Sequence, residues 1–343
     1  MVMPSGHSRA CNRRLPIRCR GMTLTELLVA VGVLAIMVLG FGTILSQTQR
    51  VVVGAQESMR ANGQAAAIEQ IIRNDVLRVS KIGFMSVTDA NGSPALVFTA
   101  AGVNQSLTGD ARGLGSIVAY GLCDNDGAGA AGKILLRHGR VLDSDVAGGV
   151  DADQLAMDLA ELQIQDAAAM DATKSSILAG LPSSLSAPAS SLSEVGSLWQ
   201  VLARDCAVLK IEWTTGDLSG GKLTWSSATQ TWTRADQGNW PSAIKINFYL
   251  KQARRLAGIA QSTWSDPAND TNFRVDSTSE LNVGEIIAAG GSAGELMRVT
   301  AVDSANSRIT VIRGYAETTS ENLADGQLLN RVWEYEIICP VGP

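Results

Sequence analysis

A glycine, a carboxylate and five arginines open the chain at offsets that invite chemistry. Gly21 leads into Met22-Thr23-Leu24-Thr25-Glu26, and no further charged residue occurs before Arg50. The 23 uncharged positions between Glu26 and Arg50 would span roughly 35 Å as a helix, enough to cross a hydrocarbon core of about 30 Å. An acid just inside such a run costs about 2.5–3.5 kcal/mol or more, so Glu26 is a functional-site candidate by default. Arg9, Arg13, Arg14, Arg18 and Arg20 precede the run with no acid among them. By the positive-inside rule that leader stays cytoplasmic and the C-terminus lies outside. No small-residue cleavage site follows the apolar run, so the helix is expected to stay in the product.

Gly21-Met22-Thr23-Leu24-Thr25-Glu26-Leu27-Leu28-Val29 resembles the class III signal of type IV prepilins and type II secretion pseudopilins. The resemblance implies cleavage by a prepilin peptidase between Gly21 and Met22, and methylation of the new N-terminal Met22. It makes Glu26 the fifth residue of the mature chain. Met22 stands where the family usually has phenylalanine. Such a cut creates an α-amino cation at Met22, and a carboxylate four residues along the helix would pair with that amine on a neighbouring subunit. Pairing lowers the desolvation cost of both charges and sets the axial register between subunits. The competing reading is an ordinary signal anchor with a stray acid near the interface.

The remaining chemistry-bearing residues are sparse. Histidine occurs only at positions 7 and 138, and His138 lies between Arg137 and Arg140, which oppose its protonated form. There is no P-loop, no HExxH and no CxxC, and Asp143, Asp145, Asp151 and Asp153 read as a solvated loop cluster. An enzyme is not expected, nor a cofactor. Beyond the leader, Cys123, Cys206 and Cys339 allow at most one intramolecular disulfide, in any of three pairings, or three buried thiols. Asp124, Asn125 and Asp126 offer oxygens for calcium in what reads as a hairpin loop from Cys123 to Gly129, but without a distal bidentate glutamate. Such Asx-rich loops are more often plain turns. Trp213, Trp225, Trp232 and Trp240 invite a sugar-platform reading; sheet packing and cross-strand pairs explain them more simply.

These residues must be held by a few elements. The helical pattern continues past Arg50 through Met59, Ile68, Ile71, Ile72, Val76 and Val79, so one helix is expected over 22–80, transmembrane at about 27–49. Gly54 and Gly63 are its weakest points. From about Lys81 the pattern turns to short β-rich runs, with candidates at Ala95–Thr99, Ser116–Leu122, Lys133–Arg137, Ala207–Thr214, Gly221–Trp225, Thr231–Arg234 and Ala243–Leu250. Gln154–Gln165 has helical spacing, and the Ala/Ser-rich stretch of about 165–198 reads as a mobile excursion. A second β set covers Phe273–Asp276, Glu285–Ala288, Glu295–Val302 and Ser307–Arg313. Arg331–Ile338 alternates again and is expected to rejoin the main sheet.

The expected fold class is therefore α+β: a pilin-like long N-terminal helix, transmembrane in its first half, packed on an antiparallel β-sheet domain. The expected organisation is a leader at 1–21, the helix at 22–80, a β domain at 81–254, a small inserted all-β module at 255–330, and a final strand with the C-terminus at 331–343.

Two more resemblances qualify this. The order from Cys206 to Leu250, a strand, tryptophans near a hairpin, Pro241 and an alternating strand, looks like the C-terminal half of J-type minor pseudopilins and W-type minor pilins. The segments Asn282–Ile287, Glu295–Val302 and Ile309–Gly314, with Asp325-Gly326-Gln327, resemble a small β module of phage tail and virion surface proteins.

The expected role is a minor structural subunit of a type II secretion pseudopilus or type IV pilus, held in the inner membrane before assembly. Its expected partners are other pilins or pseudopilins, the prepilin peptidase and the assembly platform. The alternative is a membrane-anchored adhesin on the same anchor. Losing five leader arginines takes the net charge from −5 to −10, which argues against nucleic acid as a partner.

Overall fold

The computed structural model describes residues 23–81, 83–90, 92–105, 112–125, 133–142, 174–182, 184–185, 199–261, 263, 271–279, 281–289, 294–320 and 322–342. The expected α+β class is observed: a long N-terminal helix, α1 (Leu24–Val76), precedes a large β-sheet. The chain divides between Ala55 and Gln56 into two compact units.

In the first unit, every described side chain from 23 to 49 is exposed, including Leu27, Leu34, Ile36, Leu39 and Phe41. An apolar helix with no covered face cannot be stable in water, so this segment requires lipid or other helices around it.

In the second unit α1 is amphipathic. Ala65, Ile68, Ile72 and Val76 are buried at spacings of three and four, the stripe that 3.6 residues per turn puts on one face. After Val76 the helix ends in a turn, and Val79 bridges to Ala100.

The strands are β1 (Met85–Ala90), β2 (Ser93–Gln105), β3 (Arg112–Asn125), β4 (Lys133–Leu142), β5 (Ser184–Leu185), β6 (Trp199–Thr214), β7 (Leu218–Ser219), β8 (Lys222–Leu223) and β9 (Gln230–Trp232). They continue as β10 (Ala243–Ile259), β11 (Asn272–Arg274), β12 (Ile286–Ala289), β13 (Glu295–Asp303), β14 (Arg308–Ile312) and β15 (Leu328–Pro340). Thirteen of them make one sheet in the order β11-β14-β13-β12-β15-β10-β6-β4-β3-β2-β1-β9, with β5 added parallel to β3. β7 and β8 form a separate hairpin.

The main sheet is apolar on both faces. Leu96, Phe98, Val118, Tyr120, Leu122 and Leu135 join the cluster under α1. Their neighbours Val97, Ile117, Ala119, Cys123, Ile134 and Leu136 belong to a second cluster. Strands covered on both sides read as continuous apolar runs, as Ser116–Leu122 does. The second face is covered by residues from the stretch expected to be a mobile excursion. A helical turn at 174–179 buries Ile177 and Leu181 there, beside Trp199. Ile177, Leu178 and Leu181 supply the one-sided apolar spacing that docks this turn, so packing overrides the Ala/Ser-rich composition around it. The helical pattern at Gln154–Gln165 lies outside the described residues.

β10 and β15 pair along most of their length, from Ala243 opposite Pro340 to Ile259 opposite Leu328. β11 to β14 fall between them in sequence and extend the sheet beyond β15 through β12. They enclose a cluster of their own, with Phe273, Ile287, Met297, Val299, Ile309 and Val311 buried.

Candidate functional site

Thr23 and Glu26 close a capping box at the start of α1. The Glu26 carboxylate accepts from the Thr23 backbone N–H at 2.9 Å and from its hydroxyl at 3.1 Å, and the Glu26 N–H donates to Thr23 Oγ1 at 3.4 Å. Thr23-Leu24-Thr25-Glu26 has the Ser/Thr-x-x-Glu spacing by which a side chain on each side satisfies otherwise unpaired N–H groups. The sequence reading gives Glu26 as a membrane acid and an amine partner but not Thr23 as its cap, although the Thr-x-x-Glu spacing is the available signal. The carboxylate thus lies against the peptide N–H that directly follows Met22. Gly21 and Met22 themselves lie outside the described residues.

The helix that begins with this box is the one element among the described residues that is long and apolar enough to cross a membrane. It is uncovered on every side over 23–49. The apolar rod is what can anchor the chain in lipid, and the box gives the acid at its head local hydrogen-bond partners.

In the second unit, polar side chains of α1 reach the sheet at four places. Arg137 of β4 grips Asp75 through Nε to Oδ2 at 2.7 Å and Nη2 to Oδ1 at 3.1 Å, and the Tyr120 hydroxyl donates to Oδ2 at 2.5 Å. Arg73 donates to the Ile338 carbonyl at 2.9 Å, Gln64 to the Leu202 carbonyl at 3.3 Å, and the Tyr335 hydroxyl to Asn62 at 2.9 Å. Burial, with Asp75 beside it, holds the Tyr120 hydroxyl protonated far beyond its ordinary range. These contacts fix the sheet to α1 and leave no open polar group aimed at a substrate among them.

The other candidate residues do not converge. Cys123, Cys206 and Cys339 are all buried free thiols, so the single disulfide that they permitted is not made. Cys123 belongs to the cluster on the outer face, and the other two to the cluster under α1. Burial pushes the Cys206 thiol up to about 12. Asp124 and Asn125 are not in a loop. β3 runs through both, with Asp124 opposite Lys133 on one side and Ser184 on the other. Asp126 lies outside the described residues, among which no group of three His, Cys, Asp or Glu side chains is placed to hold a metal ion.

The tryptophans are engaged in packing. Trp213 meets Trp232 edge-on at 4.9 Å, Lys245 sits over the Trp225 ring at 5.0 Å, and the Trp240 indole donates to the Thr233 carbonyl at 2.7 Å. His138 is buried against Trp199, with ring centres 5.0 Å apart.

Residues 17–42 match the prokaryotic N-terminal methylation motif, which indicates a precursor of the type IV pilin or pseudopilin kind. The match covers Gly21, Met22, the capping box and the apolar run as far as residue 42. Neither the curated proteins nor the solved structures yielded a match to the chain.

Proposed function

We propose that this chain is a minor, pilin-type structural subunit rather than an enzyme. A prepilin peptidase cleaves it between Gly21 and Met22, and Met22 is then methylated. The processed chain waits in the inner membrane, with the leader side cytoplasmic and the β-sheet unit outside. It is then drawn by an assembly platform into a type II secretion pseudopilus or type IV pilus, where its helix packs among those of other pilins. The observation that carries this reading is the fully exposed apolar helix from 23 to 49 that starts with the Thr23–Glu26 box inside the matched motif. Such a surface requires lipid first and helices later. A sheet unit of this size, with strands β11 to β14 added beyond β15, would crowd a repeating shaft, which supports a minor, tip-proximal place.

Two measurements test it. Intact mass of the chain purified from its native membrane should correspond to Met22 as a methylated first residue. A retained leader, or a cut after the apolar segment, would overturn the reading. The second uses Glu26→Gln. Glutamine still closes a capping box, so the helix start is kept and only the charge is lost. Membrane insertion should persist while co-purification with other pilin-type subunits is lost. Undiminished co-purification would remove Glu26 from assembly.

A further inference from the structure

A cleft of about 310 Å³ opens where the turn after β14 folds back over the main sheet, and its lining includes Pro94, Lys133, Val208, Lys210, Glu317 and Thr319. That is the lower end of the range for ligand cavities, enough for one or two side chains. Lys133 donates to the Ser93 hydroxyl at 2.7 Å. Lys210 lies 2.6 Å from Glu317 and 3.5 Å from Glu212, and Glu212 also pairs with Lys245.

The wall that carries Glu317 is strained. Ala316 and Glu317 are both left-handed, with φ of 56° and 64°, directly after the Gly314–Tyr315 corner where Gly314 has φ of 60°. Side chains with a Cβ avoid this region, and such strain persists only where the surroundings over-determine it. Here they do. The fully buried Glu295 carboxylate accepts from the Gly314 N–H at 2.9 Å and is forked by Arg313 at 2.9 and 2.5 Å. Thr318 Oγ1 donates to the Tyr315 carbonyl at 2.9 Å and accepts from the Leu296 N–H at 3.0 Å. The turn ends in a Lys210–Glu317 ion pair whose acid is 71% exposed. An exposed ion pair is worth less than two left-handed non-glycine residues cost. The turn is therefore not explained by the stability of that pair.

We propose that the cleft is a docking site for a carboxylate-bearing peptide segment of a partner protein, with Glu317 as an intramolecular stand-in for the partner's carboxylate. The incoming carboxylate takes Lys210 from Glu317, Lys133 adds a second cation, and Pro94 and Val208 receive the apolar neighbour of the acid. A monoanion fits better than a phosphate, because Glu212 and Glu317 already border Lys210 and would repel a doubly charged group. This site does not depend on cleavage at Gly21 or on Glu26, so its failure would leave the filament reading untouched.

The test uses the full chain in detergent micelles and a blocked, fluorescently labelled pentapeptide, Ala-Leu-Glu-Leu-Ala, with its Gln counterpart as control. The Glu peptide should bind and the Gln peptide should not. Lys210→Met should weaken binding about tenfold or more, Lys210→Arg should retain it, and Glu317→Gln should tighten it several-fold by removing the competitor. An unchanged melting temperature in Lys210→Met, with binding retained by Lys210→Arg, excludes simple unfolding as the cause. Equal binding of the two peptides, no change in Lys210→Met, weaker binding in Glu317→Gln, or no binding to either wild type or Glu317→Gln near ~1 mM would each overturn the proposal.

Discussion

Arg137 and Asp75 are 62 positions apart in the chain and 2.7 Å apart in the fold. Asp75 falls on the same helix stripe as Ile68, Ile72 and Val76, and Arg137 takes the same side of β4 as Leu135. Each is a charge at a core position, and each would be costly alone. Removing one partner of a buried pair leaves the other uncompensated, so Arg137→Met should cost about 3–5 kcal/mol in urea unfolding, whereas Tyr120→Phe should cost about 1–3 kcal/mol. Sequence reading sets Asp75 among the charges between the apolar helix positions, and nothing in the spacing of Asp75 and Arg137 shows that they meet, because strand order decides it. The Thr23–Glu26 box is the opposite case: a three-residue spacing is local, and the sequence alone was sufficient to place it. Cys206 gives a pH test. Its thiol is pushed up to about 12 by burial, whereas an unfolded thiol titrates near about 8.5. The folded chain therefore holds that proton longer, and the stability it contributes is complete below about pH 8.5 and lost progressively as pH rises towards 12. Cys206→Ala should flatten the alkaline slope of stability, measured as urea midpoints between about pH 8 and 10. Native Cys206 should also resist alkylation until the chain unfolds.

The sequence patterns that located α1 and most of the strands are local: a spacing of three and four for the helix, and β-branched runs between turn residues for the sheet. Elements that depend on a distant surface were not legible in the same way. The turn at 174–179 is helical because Ile177 and Leu181 have a sheet face to cover, and that face exists only after β3 and β4 pair. The hand-over from α1 to the sheet is similar. The Gly83 position sits so close to Thr99 that an added Cβ would lie 2.0 Å from Oγ1 and 2.6 Å from Thr99 Cβ. That hydroxyl accepts from the Phe84 N–H at 3.0 Å and reaches the Ser80 and Phe84 carbonyls at 3.3 and 3.2 Å. The glycine is there for close approach, since no left-handed φ is involved. Gly83→Ala should push β2 away from the end of α1 and cost about 1–3 kcal/mol or more. Gly63→Ala, with open space around its Cβ, should instead stabilise the helix by up to about 1 kcal/mol. Thermal unfolding of the two variants side by side checks both signs. Destabilisation by Gly63→Ala would mean that the helix is contacted there in a way the fold does not show.

At the scale of the whole molecule, the hairpin of β10 and β15 decides how the chain can be cut. The two strands pair to their ends, closing at Ile259 opposite Leu328, and β11 to β14 lie between those ends in sequence, joined to β15 through β12. Alternation at Arg331–Ile338 made β15 legible as a strand, but not as the partner of β10, because sequence distance carries no information about sheet order. Among the described residues, no member of the cluster under α1 lies between 260 and 327. Replacing 260–327 with Asn-Gly, a pair suited to a tight two-residue hairpin, should therefore leave that cluster intact. The loss falls on Leu329, whose buried cluster partners go with the cut, and on a smaller cluster, where Ile286, Ala288 and Leu296 cover Ala207, Tyr249 and Val332. Exposing Tyr249 and Val332 costs about 1.5–3 kcal/mol each, so the melting temperature should drop by roughly 6 °C or more. Unfolding should nonetheless remain a single transition, and Arg137→Met should destabilise the shortened chain about as much as the full one. Distant, independent sites add in this way, whereas coupled ones do not. A shortened chain with no cooperative transition would show that β11 to β14 are part of what folds the main sheet. One that melts cooperatively and still co-purifies with pilin-type subunits would place assembly in α1 and the sheet that it carries.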